Sequence, residues 1–446
     1  MTGLHWSMKI SIHIAPNENE SPTLPPITMR IYTLIAILFF SSLGLAQSQA
    51  NYDESKVPKF TLPDVLTSFS GNPITNQTEW EENRRREILQ FFEKQVYGKV
   101  PDRLDEYGFK LLEESNDAYG GKARRKQIAI TLKKNKKTIT YYMLIYLPKG
   151  NPTAPVFLGY NFYGNHTVTA DPNVPITKAW VKNKEAFGIT DNKASESSRG
   201  IRTHRWAIEK MLDNGFGLAT IYYGEIDPDK NDFSDGVHSL FYRDGQTKPK
   251  TNEWGSISAW AFGLSKAMNY LESDVNISKV FVFGHSRLGK AALWAGATDK
   301  RFAGVISNNS GCGGAALSRR QFGETVAQIN TSFPHWFADS FLKYDNNERT
   351  LPVDQHQLLA LIAPRPLYIA SAEEDKWADP KGEFLSTYYA SSVYGLYGRK
   401  GITSKEMPKT NAPIQNTVAY HIRTGNHDVM DYDWENYIKW ANTFVK

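Results

Sequence analysis

The sequence predicts an α/β fold, a mostly parallel central sheet flanked by helices, in one catalytic-size domain from about residue 51 to 446. Two observations carry this. Short apolar runs rich in β-branched and aromatic residues alternate with amphipathic stretches, the pattern of crossover units. The composition is steady along this length, with no internal repeat and no low-complexity linker, so nothing marks a second domain.

Residues 51–80 read as an extended lead-in punctuated by proline. EENRRREILQFFEKQVYG (Glu81–Gly98) has helical periodicity and a glycine stop. KQIAITLKK and KTITYYMLIYLP alternate as paired strands around the basic run KKNKK (Lys133–Lys137), a hairpin tip. APVFLGYNF (Ala154–Phe162) is a buried strand entering a Gly/Asn-rich loop. Residues 163–203 are polar, lack a period and are too long for a plain connector, so they are expected to help shape a site. THRWAIEKMLDNG is an amphipathic helix closed by Gly215, FGLATIYYGEIDP the next buried strand, and SISAWAFGLSKAMNYLE (Ser256–Glu272) a long helix. KVFVFG then leads through a turn at Ser286 into the helix RLGKAALWAGA. FAGVISNNSG and RPLYIASAEED are further strands, and PKGEFLSTYYASSVYG is a helix. NTVAYHIRTGNHDV is the last strand and loop, and WENYIKWANTFV the last helix.

The chain has 446 residues and a net charge of +5 that is dispersed, so nucleic acid is not an expected partner. MRIYTLIAILFFSSLGLAQSQA, from Met29, has one Arg, an apolar run to about Leu45 and small residues at Gly44/Ala46 and Ser48/Ala50. This is a secretory signal, residues 29–50, too short for a membrane span. It implies a secreted or periplasmic protein with no membrane contact beyond the signal. Residues 1–28 are polar and Pro-rich, unlike the start of a signal, and read as a non-native extension ahead of the true start at Met29. The single cysteine, Cys312, allows no internal disulfide. The ten histidines show no H-x-x-x-H or H-E-x-x-H grouping, so no metal site is expected.

In an open parallel sheet, functional groups collect at the carboxyl ends of strands. Ser286 follows VFVFG, Asp375 follows LYIASAEE and His427 follows VAYHIRTGN. The order Ser, acid, His is that of the α/β-hydrolase fold. A serine hydroxyl is a weak nucleophile until a base takes its proton, the part His427 would play. A carboxylate must hold that imidazole in the right tautomer. Asp375 is the choice, with Glu374 next, and Glu373, Asp379 and Asp428 crowd nearby. Gly284 and Gly289 make the turn G-x-S-x-x-G, one residue longer than the usual G-x-S-x-G. The competing reading of Ser286 is a helix N-cap, a place serine favours.

At GHSRLGKAAL, SNNSGCGGAALSRRQFGET and GNHDVMDYDW the chain resembles the glucuronoyl esterases, the fifteenth family of carbohydrate esterases, and their bacterial branch most. The resemblance implies a secreted, cofactor-free α/β-hydrolase acting on esters between (4-O-methyl-)glucuronic acid of glucuronoxylan and lignin alcohols. It implies Ser286 as nucleophile, His427 as base and Arg287 as oxyanion partner through its N–H and guanidinium. It also implies sugar contacts at Lys290, Glu324 and Trp377; Trp377 could equally pack in a core. A departure stands at Ser307–Gly311: many fungal members carry the acid as Glu in ESG, where this chain has Asn309. The acid is therefore expected from the Asp375 loop. A different carbohydrate ester, acetyl or feruloyl, is the alternative substrate, and a non-catalytic polysaccharide binder the alternative class. A monomer is expected.

Overall fold

The computed structural model describes residues 50–101 and 103–445. The expected extension, 1–28, and all but the last residue of the expected signal segment, 29–50, lie outside the described residues. The strands are β1 (Glu106–Asp117), β2 (Ala123–Lys134), β3 (Lys137–Pro148), β4 (Ala154–Asn161), β5 (Gly217–Tyr222), β6 (Ile277–His285), β7 (Gly304–Asn308), β8 (Leu367–Ala372) and β9 (Val418–Arg423). They form one sheet in the order β1-β2-β3-β5-β4-β6-β7-β8-β9. β1 to β3 pair antiparallel, β3 meets β5 antiparallel, and β5 onward to β9 the sheet is parallel. The chain order reverses at β4, which lies between β5 and β6, and such a switch point is where open α/β sheets place functional groups at their strand carboxyl ends. This is the α/β-hydrolase architecture the sequence predicts.

The helices that matter for the site are α1 (Arg85–Gln95), α2 (Ile208–Asp213), α3 (Ser256–Ser273), α4 (Arg287–Thr298), α5 (Val326–Ser332), α6 (Gln355–Ala360), α7 (Pro380–Leu396) and α8 (Asp431–Ala441). Alternation along β6 shows how the sheet is covered. Val280 and Val282 join the core built with α1, α3 and α4. Phe281 and Phe283 point the other way, into a cluster with Trp434, Tyr437 and Trp440 of α8. Burying such a side chain is worth about 1.5–3 kcal/mol, so both faces lock the strand whose end carries Ser286.

Three elements differ from expectation. β1 carries Glu106, Glu113, Glu114 and Asp117 and is mostly exposed, an edge strand without the apolar alternation that marks an interior one. The first helix stops at Gln95 rather than Gly98. Tyr97 is drawn out of it to stack on Trp294 at 4.5 Å, and Gly98 turns at φ +79 against the Glu253 backbone. The helix expected from Thr203 begins only at Ile208, because Thr203–Arg205 is a separate short turn and Trp206 sinks into the core. The KKNKK tip is a two-residue hairpin turn, with Asn135 and Lys136 both at positive φ.

Candidate active site

β6 ends against α4 in a turn that cannot relax. Ser286 sits at φ 59 and ψ −131, outside the regions L residues prefer. Gly284 makes the turn possible: a Cβ there would lie 1.9 Å from the Leu288 carbonyl oxygen. Gly289 lies against Ser307 and Ser310, where a Cβ would meet atoms at 2.9 and 3.0 Å. Both glycines of G-x-S-x-x-G are therefore contact points between turn, helix and β7. Ser286 occupies the N-cap position of α4, but its hydroxyl caps nothing. That removes the reading of Ser286 as a capping residue.

Asp375 and His427 come together from the ends of β8 and β9. His427 Nδ1 donates to Asp375 Oδ2 at 2.5 Å. The other carboxylates of that neighbourhood are accounted for. Glu373 and Glu374 face solvent. Asp379 caps α7 at Gly382 N and pairs with Arg320. Asp428 pairs with Arg205 and lies 3.7 Å from Arg202. Asp375 is buried, which raises its affinity for a proton, but the His427 and Asn309 hydrogen bonds outweigh this and hold its carboxyl below the usual range. The His427 loop is gripped from beneath by Arg423. Its Nη2 donates to the carbonyls on either side of the histidine, Asn426 at 3.0 Å and Asp428 at 2.6 Å, while Asp433 anchors its Nε at 2.9 Å.

The His427 ring lies 4.5 Å, centroid to centroid, from His285, the residue before Ser286. His285 is buried and accepts no second charge. Burial, and then His427 and Arg205, hold its imidazole well below its usual value, and its Nδ1 pairs with Asn308 Oδ1 at 2.6 Å. A neutral ring thus flanks the half-exposed His427.

Arg287 follows Ser286 and pairs with Asp229. Its guanidinium lies over Trp336 at 4.7 Å and Phe333 at 5.4 Å. Burial alone would raise the Asp229 carboxyl, but hydrogen bonds from His335 Nε2 (2.9 Å) and Trp336 Nε1 (2.8 Å), together with Arg287, hold it well below the carboxylate range. The result is a fixed cation on a fixed anion beside Ser286. Lys290, one turn on, is buried and donates to Ser310 O at 2.5 Å. Glu324 is buried nearby, raised by burial and pulled back by Lys290 and Arg287. Trp377 is 41% exposed, so it is not a core residue, and its carbonyl accepts the Glu324 N–H at 3.0 Å.

Several residues here escaped the sequence reading. Asp229 follows β5 and obeys the strand-end rule that found the others, so it was within reach. His335, Trp336 and Arg423 carry no local signature, and Asn309, marked by the sequence only as unable to be the acid, gave no sign of its contact with Asp375. The long 163–203 segment does border the site: its Arg202 lies 3.7 Å from Asp428, the residue after His427. Among the described residues, no group of three or more His, Cys, Asp or Glu could hold a metal ion, and no helix is long and apolar enough to cross a membrane.

A hydroxyl on a strained turn, following a ring that lies 4.5 Å from a carboxylate-oriented imidazole and followed by a part-buried cation, is suited to acyl transfer. The known proteins it resembles agree with that chemistry. The family model described as "Glucuronyl esterase, fungi" matches residues 206–398. A carbohydrate esterase from an unknown prokaryotic organism is 52% identical over 395 residues, covering 88% of this chain and 91% of its own. The structure of a promiscuous esterase of carbohydrate esterase family 15, from the marine bacterial metagenome, superposes with a TM-score of 0.84 at 51% identity, covering 89% of this chain and all of that one. The glucuronoyl esterase of Solibacter usitatus does so at 0.81 and 47% identity, covering 87% and 99%. With that identity spread over nearly the whole of each relative, the chain belongs to carbohydrate esterase family 15, the glucuronoyl esterases, and is a carboxylic ester hydrolase.

Proposed function

We propose that this protein is a secreted or periplasmic glucuronoyl esterase, acting as a monomer on esters that join (4-O-methyl-)glucuronic acid side groups of glucuronoxylan to lignin alcohols. The observation that carries the catalytic reading is the 2.5 Å contact of His427 Nδ1 with Asp375 Oδ2, set at the sheet edge that also holds the strained Ser286 turn. The location rests on the signal-like segment 29–50.

Ser286 Oγ attacks the C6 carbonyl carbon of the uronate ester while the free nitrogen of His427 takes its proton. Asp375 stabilises the resulting imidazolium. The oxyanion is met by the N–H of Arg287, which as a first-turn residue has no intrahelical acceptor, and by its guanidinium. The C–O bond to the alcohol breaks, and the alcohol leaves with the proton from His427. Water then adds to the acyl-enzyme with His427 again as base, the acyl–Oγ bond breaks, and free glucuronate and Ser286 are restored. Lys290 and Glu324, a buried cation and a buried carboxyl side by side, suit sugar hydroxyls, and exposed Trp377 offers a ring face.

The test is turnover of benzyl glucuronate beside an acetylated xyloside and a feruloyl ester. Preference for the glucuronate is expected. Fast turnover of the other two with none on the glucuronate would overturn the substrate reading. The marine relative is described as promiscuous, so those two arms are informative in their own right.

A further inference from the structure

We infer that Asn309 is a positioning residue, whose side-chain N–H fixes the Asp375 carboxylate that in turn orients His427. Asn309 Nδ2 donates to Asp375 Oδ2 at 2.8 Å, the same oxygen that accepts His427 Nδ1. The inference rests on the reading of Ser286, His427 and Asp375 as the catalytic set.

Asn309 occupies the turn after β7, where its bare lack of charge excludes it as the acid. It is buried and sits in the left-handed region at φ 48, which asparagine tolerates. Its Oδ1 is buried with no partner. A residue chosen for packing would not leave a polar atom unpaired there. The amide is instead turned so that its donor meets the carboxylate. The turn cannot drift. Asn309 N donates to Ala370 O at 2.8 Å, and Glu383 Oε1 of α7 accepts Ser310 N at 2.8 Å and Gly311 N at 3.0 Å. Glu383 Oε2 accepts Ser371 Oγ of β8 at 2.6 Å, and Lys290 of α4 holds Ser310 O at 2.5 Å. A donor on so rigid a frame sets where Asp375 Oδ2 sits, and Oδ2 sets where the imidazole points.

The titratable and charged groups facing the pair come from several elements: Glu383 of α7, which burial pushes toward its protonated form, neutral His285 at the end of β6, Glu324 and Asp428 around His427, and Arg205 and Arg423 behind His285. None of these replaces the N–H of Asn309. Removing that donor leaves the carboxylate more strongly basic toward His427. The imidazolium that His427 becomes on taking a proton is then held more tightly.

Asn309→Leu, of similar shape without the donor, should lower kcat on benzyl glucuronate by about ten- to a hundredfold with KM within about twofold. The acid limb of kcat/KM should move up by about half a pH unit or more. Asn309→Asp, which adds a charge in the same volume, should move it further up. Unmoved limbs in both variants overturn the inference, whether kcat holds within about twofold or falls together with the melting temperature, which would mark a merely structural role. Asp375→Asn is assayed alongside. If it turns over at the wild-type rate, the catalytic reading itself fails. If it is inactive while Asn309→Leu is unaffected, only the role of Asn309 fails.

Discussion

Ser286 holds a conformation at φ 59 that costs a residue with a Cβ about 1–3 kcal/mol. The cost makes sense only if the hydroxyl is wanted at that point, since it caps nothing. Two results should follow. Ser286→Ala should lower kcat by about 10⁴-fold or more. Ser286→Gly should be equally inactive yet melt higher than wild type, because glycine accepts positive φ freely; scanning calorimetry would show it, and a lower melting point would argue against stored strain. Asp375→Asn should cost on the order of 10⁴ in kcat by presenting the wrong hydrogen-bond partner to His427, whereas Glu374→Gln, at an exposed position, should stay within about threefold. A reversed pattern in rate assays would move the acid to Glu374. At this scale, Ser286, Asp375 and His427 were legible because each closely follows a recognisable strand. The choice among four carboxylates from Glu373 to Asp379 was legible only as a preference. All four share one loop, and its fold alone turns Asp375 inward, Asp379 to the helix cap and the two glutamates to water.

At the scale of elements, the extra residue in G-x-S-x-x-G has a plain cause. Gly284 packs on the first turn of α4 at Leu288, while Gly289, on the next position of that helix, packs on β7. Gly284→Ala would drive a methyl to 1.9 Å from a backbone oxygen, so it should yield little folded protein; a soluble, active Gly284→Ala enzyme would refute this account of the turn. The first turn of α7 supplies a pH-dependent element. Burial pushes the Glu383 carboxyl up to about 8, against the pull of the Ser371 hydroxyl and the Gly311 and Ser310 N–H groups. Between its usual 4.5 and about 8 the folded protein keeps a proton that the unfolded chain has lost. Stability from this group is therefore present below that window and falls as pH rises through it. Glu383→Gln should melt like wild type at low pH and above it at high pH, a comparison open to thermal scans across the window; parallel curves would sink the claim. The interior strands and the β2–β3 hairpin were readable from alternation and turn residues. β1 was not, since an edge strand exposed along most of its length needs no apolar face.

Across the whole molecule, the two sides of the sheet are closed by different parts of the chain, and the N-terminal lead-in reaches the site rather than merely preceding it. Asn51 O accepts Gly323 N at 2.8 Å, forming a bridge beside Glu324. Tyr52 meets Phe322 edge-on at 6.3 Å. Glu54 accepts Arg320 Nη2 at 2.8 Å and Lys381 Nζ at 2.7 Å, and Arg320 passes the link to Asp379, which caps α7. Gly323 lies so close to the Trp377 carbonyl that a Cβ would come within 2.4 Å. The segment 51–56 therefore ties together the two loops that carry Glu324 and Trp377, while touching neither Ser286 nor His427. Nothing in its sequence, far from these loops along the chain, signals that role; it exists only once the chain has folded. Removing residues 51–56 should loosen sugar contacts that hold ground and transition state alike, raising KM for a glucuronate ester by about three- to tenfold and leaving kcat within about twofold. Glu54→Gln, which keeps the bridge at Asn51, should show a smaller rise of the same kind. Steady-state kinetics on benzyl glucuronate separates the outcomes: a fall in kcat at constant KM would mean that the segment supports the Ser286 turn instead, and no change in either would mean that these loops hold their shape without it.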